Sequence, residues 1–191
     1  MSQGDSVLRF WFGEDWQQVP PTPQKKWFVK DPIFDQSVRE WFTGTYEQAV
    51  AGRLEHWTET AAGALALTIV LDQFPRNMFR DTPKAFASDA QALHVADYAL
   101  DRDFDQDVPP VMRLFFYLPF EHSENLSNQN RAVQLLQGYA DDPELGSYAE
   151  FALKHQAVIA QFGRFPHRNA ILGRESTPAE LEFLEQPGSR F

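Results

Sequence analysis

Two segments of this chain place Arg and Asn just behind a Phe-Pro pair. They are Asp72-Gln73-Phe74-Pro75-Arg76-Asn77 and Arg164-Phe165-Pro166-His167-Arg168-Asn169. A third proline segment, Tyr117-Leu118-Pro119-Phe120-Glu121-His122-Ser123-Glu124, carries acids and an imidazole where the other two carry cations. Guanidinium groups are planar forks that match carboxylate and phosphate. Arg76, Arg80, Arg164 and Arg168 therefore suit an anionic ligand. Glu121, His122 and Glu124 suit its orientation, or proton transfer, since imidazole titrates near neutrality. Asn77, His167 and Asn169 complete the candidate set. If the site does chemistry, Glu121 and His122 are the residues to carry it.

A structural account of the same residues competes with this one. Proline lacks an N–H and clashes with a continuing helical turn, so each Phe-Pro pair reads as a helix stop. Cations are favoured at the negative C-terminus of a helix. Asn tolerates the left-handed conformation that closes helices. On this account Glu121 and Glu124 pair with the arginines inside the fold, and the charges lock helix corners.

Other chemistries lack their sequence signatures. The chain has no Gly-x-x-x-x-Gly-Lys, no Gly-x-Gly-x-x-Gly and no Gly-x-Ser-x-Gly segment, so no nucleotide, cofactor or nucleophile-elbow fingerprint is present. No His-Glu-x-x-His occurs, and the 5 histidines are scattered, so no metal site is expected. The acidic run Asp101 to Asp107 has Gln106 where a calcium loop needs glycine and Met112 where it needs glutamate, so it reads as a solvated loop. Ser123 beside His122 does not make a triad, because chain neighbours rarely have the required mutual geometry.

The elements that must position these groups read as helices throughout. Asp31-Pro32 is an N-cap followed by proline at the first helical position. Ser88-Asp89-Ala90-Gln91 and Ser147-Tyr148-Ala149-Glu150 read as capping boxes, and Thr177-Pro178-Ala179-Glu180 combines a box with proline. Apolar residues recur at helical spacing between such signals, as in Phe34, Val38, Trp41, Phe42 and Tyr46. Helices are expected near 6–12, 32–51, 58–73, 88–101, 110–117, 127–139, 147–162 and 178–185. No stretch alternates long enough to be a strand. The fold class is all-α: antiparallel helical hairpins in a tetratricopeptide-like stack, in a single domain over residues 1–191. Asp15 to Pro23, with three prolines, reads as surface loop. The cluster Phe10-Trp11-Phe12 is expected mainly in the core.

With 17 basic and 27 acidic residues among 191, the net charge is −10, which argues against nucleic-acid binding. The absence of cysteine removes disulfides, thiol catalysis and thiolate metal sites, and fits a reducing compartment. The N-terminus lacks the cationic and apolar regions of a signal peptide. The most apolar run, Ala61 to Leu71, is too short to cross a bilayer. A cytoplasmic protein with no membrane partner is expected.

Several long segments together resemble a bacterial family known only as domain of unknown function 924. They are Val7-Leu8-Arg9-Phe10-Trp11-Phe12-Gly13, Trp27-Phe28 followed by Asp31, Leu71 through Arg80, Leu118 through Glu124, Phe162 through Asn169, and Gly173 through Pro178. The resemblance spans nearly the whole chain. It implies an all-helical, tetratricopeptide-like fold and no activity, and it marks the three proline segments as signatures. The leading functional reading is a helical binding module that holds a peptide, a partner protein or a small anionic ligand. The alternative is an enzyme acting on a small anionic substrate by acid/base or hydrolytic chemistry.

Overall fold

The structure is a computed structural model that describes residues 2–189. Its described residues form eight α-helices: α1 (Gln3–Phe12), α2 (Pro32–Val50), α3 (Ala61–Met78), α4 (Asp89–Leu100), α5 (Pro110–Glu121), α6 (Leu126–Gln137), α7 (Gly146–Phe162) and α8 (Pro178–Leu184). No strand occurs among them. Short 3₁₀ turns fill several links, including Pro83–Phe86 and Pro166–Arg168. From α2 to α7 each helix packs on the next in sequence, and α1 returns to α3. No helix of the described residues is long and apolar enough to cross a membrane.

Local chemistry sets the helix starts. Asp31 accepts from the backbone N–H groups of Ile33 and Phe34, and Pro32 opens α2. Thr60 caps α3 through Gly63 N–H, and Gly63 sits so close to Trp57 that a Cβ would lie 2.1 Å from the Trp57 carbonyl oxygen. Thr177 and Glu180 form a complete capping box at α8. The other two expected boxes do not form. The N-cap of α7 is Leu145, without a side-chain cap, and Asp142 accepts from Glu144 and Leu145 N–H instead. Ser88 makes no capping bond either, because its hydroxyl is used elsewhere.

That use explains the main departure from the sequence reading. Pro75 and Pro119 do not stop their helices: α3 runs on to Met78 and α5 to Glu121. Proline at 75 leaves the Leu71 carbonyl without its usual donor. The Ser88 hydroxyl supplies one at 2.6 Å, so the helix continues and α4 is pinned to α3. Asn77 is accordingly helical rather than left-handed, and Asn169 is right-handed as well, at φ −57°. At the Arg164–Asn169 segment the stop belongs to Gly163, left-handed at φ 70°, and Pro166 opens the following 3₁₀ turn.

α3 is the central element. Every residue from Ala64 to Pro75 is buried, including Thr68, Asp72 and Gln73, so it is covered all round. Trp11 and Phe74 are fully enclosed and meet Phe10, Phe34, Phe42 and Phe115 in one aromatic core. The 10–12 cluster is core as expected, with Trp11 and Phe12 buried and Phe10 stacked at 5.2 Å on Phe34. The Asp15–Pro23 segment runs as turns and coil with mostly exposed residues. A carboxylate at the centre of such a helix, Asp72, costs several kcal/mol to bury unless it is paired, and its pairing builds the site.

Candidate functional site

Asp72 and Arg76 stand one turn apart near the end of α3. Arg76 Nη1 donates to the Asp72 backbone oxygen and lies 3.3 Å from Asp72 Oδ1. The same carboxylate oxygen lies 2.8 Å from His122 Nδ1, one residue beyond α5. Arg76, with His122 after it, holds the Asp72 carboxyl down at about 2 against the opposing effect of burial, so it is ionised. An ionised carboxylate only accepts, so Nδ1 carries the proton. Burial, then the Arg76 charge, pushes the His122 pKa below its usual value, and the imidazole is neutral with its lone pair on Nε2. Among the described residues Nε2 has no hydrogen-bond partner.

Asp89, in the first turn of α4, joins two arginines. Its Oδ1 is 3.0 Å from Arg76 Nη1, and its Oδ2 is 3.2 Å from Arg76 Nη2 and 3.5 Å from Arg168 Nη1. Arg168 comes from the turn after α7. Its guanidinium carbon lies 4.6 Å from the Phe86 ring centroid and 4.5 Å from that of Phe165, held between the two faces. Its side chain is 8 % exposed, and its Nε is buried without an acceptor among the described residues. Burial first and the Arg76 charge second bring its pKa down to about 10, still a cation at neutral pH.

Asp89, His122 and Arg168 border an open cavity of about 380 Å³. Phe86, Leu93, Pro119 and Leu172 give it an apolar wall, and Asp89, His122, Ser123, Glu124 and Arg168 give it polar edges. Glu124 is already saturated: it accepts from Phe165 N–H at 2.8 Å and from Arg174 at 2.6 and 2.9 Å. The Arg174 bond is the main effect that keeps its pKa low in spite of burial. Ser123 accepts from Asn128 Nδ2 at 2.9 Å.

The ten residues singled out from the sequence separate into distinct places. His122, Glu124 and Arg168 line the cavity, and Arg76 stands behind it, tied to the lining through Asp89. Asn77 and Arg80 face the opposite way: both donate to Asp35 on α2, at 2.8 Å from Asn77 and at 2.5 and 2.8 Å from Arg80. Arg164 grips Glu180 at 2.6 and 2.8 Å and the Glu175 carbonyl at 2.8 Å, fastening α8. Asn169 is buried between Ser176 and Arg174, and the His167 ring packs 5.6 Å from Phe165.

Among the described residues Glu121 is not paired with an arginine, and it does not line the cavity. It lies beneath, with Oε1 3.0 Å from His155 Nδ1 on α7. Burial, and then the Asp72 charge, pushes its pKa up to about 8, while burial brings His155 down to about 3. At neutral pH this contact joins a carboxylic acid to a neutral imidazole.

Sequence reasoning did not single out Asp72, Asp89, Phe86, Asp35, His155 or Arg174 as site residues. Asp72 had a signal, being four residues before Arg76 on the same helix face. Asp89 sat inside an apparent capping box, where it reads as a first-turn acid favoured by the helix dipole. Asp35 and His155 have no local signature, since their partners lie far along the chain.

The fold and this geometry define an all-helical protein whose helix ends enclose one charged, apolar-walled cavity. The chain belongs to the family described as bacterial protein of unknown function (DUF924), whose model matches residues 7–188. It is similar to the solved structure of a protein of unknown function, ATU0120, from Agrobacterium tumefaciens. That chain is 41% identical, with 95% of this chain and 96% of that one covered and a TM-score of 0.84. A comparison with curated proteins gives no match.

Proposed function

We propose that the protein binds a small molecule through an anionic group, a carboxylate or phosphate, seated on Arg168 at the mouth of this cavity. The observation that carries the reading is the unmet demand of one buried cation. Arg168 is taken out of water, stacked between two rings, and shares its nearest carboxylate with Arg76 at 3.5 Å. Its Nε has no acceptor among the described residues. A desolvated guanidinium is costly unless it is paired, and Arg168 lines the cavity, where an anion adds a second partner beside Asp89. The cavity volume of about 380 Å³ falls in the range of small-ligand sites. Its apolar wall suits a short uncharged body attached to the anionic head. The lack of cysteine supports a cytoplasmic setting.

Thermal unfolding at constant ionic strength tests this, with sodium succinate and inorganic phosphate each set against sodium chloride. A ligand present at about 100 times its Kd adds about 2.7 kcal/mol of stability and raises the melting temperature. Arg168→Met should abolish the increase, whereas Arg80→Met should keep it. No increase with either anion in the wild-type chain removes the reading.

A further inference from the structure

The Asp72–His122 pair has a property that anion binding does not use. Its imidazole is neutral, fixed in one tautomer and held by an ionised carboxylate, and the residue lines the cavity with its other nitrogen unpartnered among the described residues. In that tautomer Nε2 is an acceptor only. A ligand that offers nothing but oxygen acceptors satisfies Arg168 and leaves Nε2 unused. The partner that fits Nε2 is a hydrogen-bond donor, and an O–H group that loses its proton there becomes an oxygen nucleophile.

The surroundings narrow which O–H group that is. The chain has no cysteine. Ser123 lines the cavity and its oxygen accepts from Asn128, but no hydrogen bond joins its hydroxyl to His122 among the described residues. A side-chain nucleophile activated by His122 is therefore not provided, and water is the nucleophile that remains. Arg168 seats the anionic end of a substrate on the same cavity wall, and Phe86, Leu93 and Pro119 offer apolar cover for the uncharged part. Lowered water access around the imidazole strengthens its interactions with a bound reactant.

We infer that the cavity is a hydrolytic site in which His122 Nε2 takes a proton from water that attacks the acyl carbon of a small ester bearing a free carboxylate on Arg168. The inference rests on the anion-seat reading. The water oxygen bonds to the acyl carbon as its proton passes to Nε2. The bond from that carbon to the ester oxygen then breaks, and the proton on Nε2 passes to the departing alkoxide. The products are an acid and an alcohol, and no oxidant or reductant is consumed. Asp72 is a positioning residue, which keeps the proton on Nδ1 and stabilises the imidazolium that forms.

The probe is the mono-4-nitrophenyl ester of succinic acid, compared with 4-nitrophenyl acetate and 4-nitrophenyl phosphate. The wild-type chain should hydrolyse the succinate ester with kcat/KM about tenfold or more above that for the acetate. His122→Gln should lower kcat by about 100-fold or more while keeping the thermal shift with succinate. The charged and titratable groups around this imidazole are Asp72 and Arg76 on α3, Asp89 on α4, Glu121 at the end of α5, Glu124 two residues beyond His122, His155 on α7 and Arg168 on the turn after α7. With the net effect downward, kcat/KM should fall on acidification only below the pH at which free imidazole protonates. Asp72→Asn should lower kcat and move this acid limb further down, since the carboxylate was raising the pKa. A residue that only holds the fold would leave the limb in place.

A succinate thermal shift without hydrolysis of the succinate ester overturns the inference and leaves the anion seat standing. So does activity undiminished in His122→Gln, or hydrolysis confined to the phosphate ester. Absence of the succinate and phosphate shifts in the wild-type chain overturns the anion seat itself.

Discussion

Arg80 and Arg168 both follow a Phe-Pro pair, and they end in opposite conditions. Arg80 meets Asp35 through two donors, at 2.5 and 2.8 Å, and Asn77 adds a third bond to the same carboxylate. Arg164 with Glu180 and Arg174 with Glu124 repeat this pattern of one fork and one carboxylate. Arg168 has the aromatic faces of Phe86 and Phe165 but only a share of Asp89. The closed corners have satisfied their hydrogen bonds and hold helices together. The corner at Arg168 has a donor left over, and it lines the cavity that His122 also lines. The charge of a residue is thus a poor guide to function here. The count of donors met within the fold separates the locks from the candidate site.

The largest effect should come from breaking a closed corner. Asp35→Ala strands Arg80 and Asn77 together, and removing one partner of a largely buried pair costs about 3 kcal/mol or more. In a chain of this length that is about 6–12 °C in melting temperature. Succinate should not restore the loss, because Asp35 belongs to the α2–α3 joint. Rescue by an anion would dissolve the distinction between lock and seat.

Ser88→Ala probes how the seat is built. It removes the donor to the Leu71 carbonyl, leaving a buried acceptor beside a proline, at about 1–3 kcal/mol. It also loosens the start of α4, which carries Asp89. Thermal unfolding should show the loss, and the succinate response should weaken with it. Asp35→Ala should leave that response intact.

The same contacts show what was legible in the chain. All eight helices were, because apolar spacing and N-caps such as Asp31 and Thr177 act over a few residues. The identity of the stops was not. Local physics makes Pro75 a terminator, and the distant Ser88 hydroxyl supplies the donor that the Leu71 carbonyl loses to it. The meeting of the three proline segments was visible as a possibility, but the sorting of their charges was not. Arg76 and Arg80 lie one turn apart, yet one turns to Asp89 and the other to Asp35. That choice depends on which helices flank α3, a tertiary fact with no local trace.

Glu121 sharpens the comparison in a different way, since its charge is suppressed rather than paired. Its folded pKa, pushed up to about 8, lies above its ordinary value of 4.5, so folding takes up a proton between these pH values. The stabilisation is present below pH 4.5 and is lost as pH rises toward 8. His155, brought down from 6.5 to about 3, works in the opposite sense and adds stability as pH rises through that window. The two cancel between about 4.5 and 6.5, so a decline should emerge from about 6.5 to 8 with a slope of about 1.4 kcal/mol per pH unit. Glu121→Gln cannot ionise and should flatten this limb in urea unfolding measured across pH. A decline that persists in the variant would assign it to another group.

The smallest stability change should come from the residue with the largest proposed role. Arg168→Met replaces an under-paired buried cation with an apolar chain of similar reach between the same two rings, and Asp89 keeps Arg76. Such replacements are often neutral or stabilising, so the change should stay within about 1 kcal/mol. Arg80→Met, which deprives Asp35 of two of its three donors, should fall further. A corner built only to hold the fold loses stability when its cation is removed. A corner that keeps a cation ready for a ligand loses binding instead, and side-by-side unfolding curves of these two variants, with and without succinate, separate the two cases. Equal destabilisation by both, with succinate still bound by Arg168→Met, would make Arg168 one more lock.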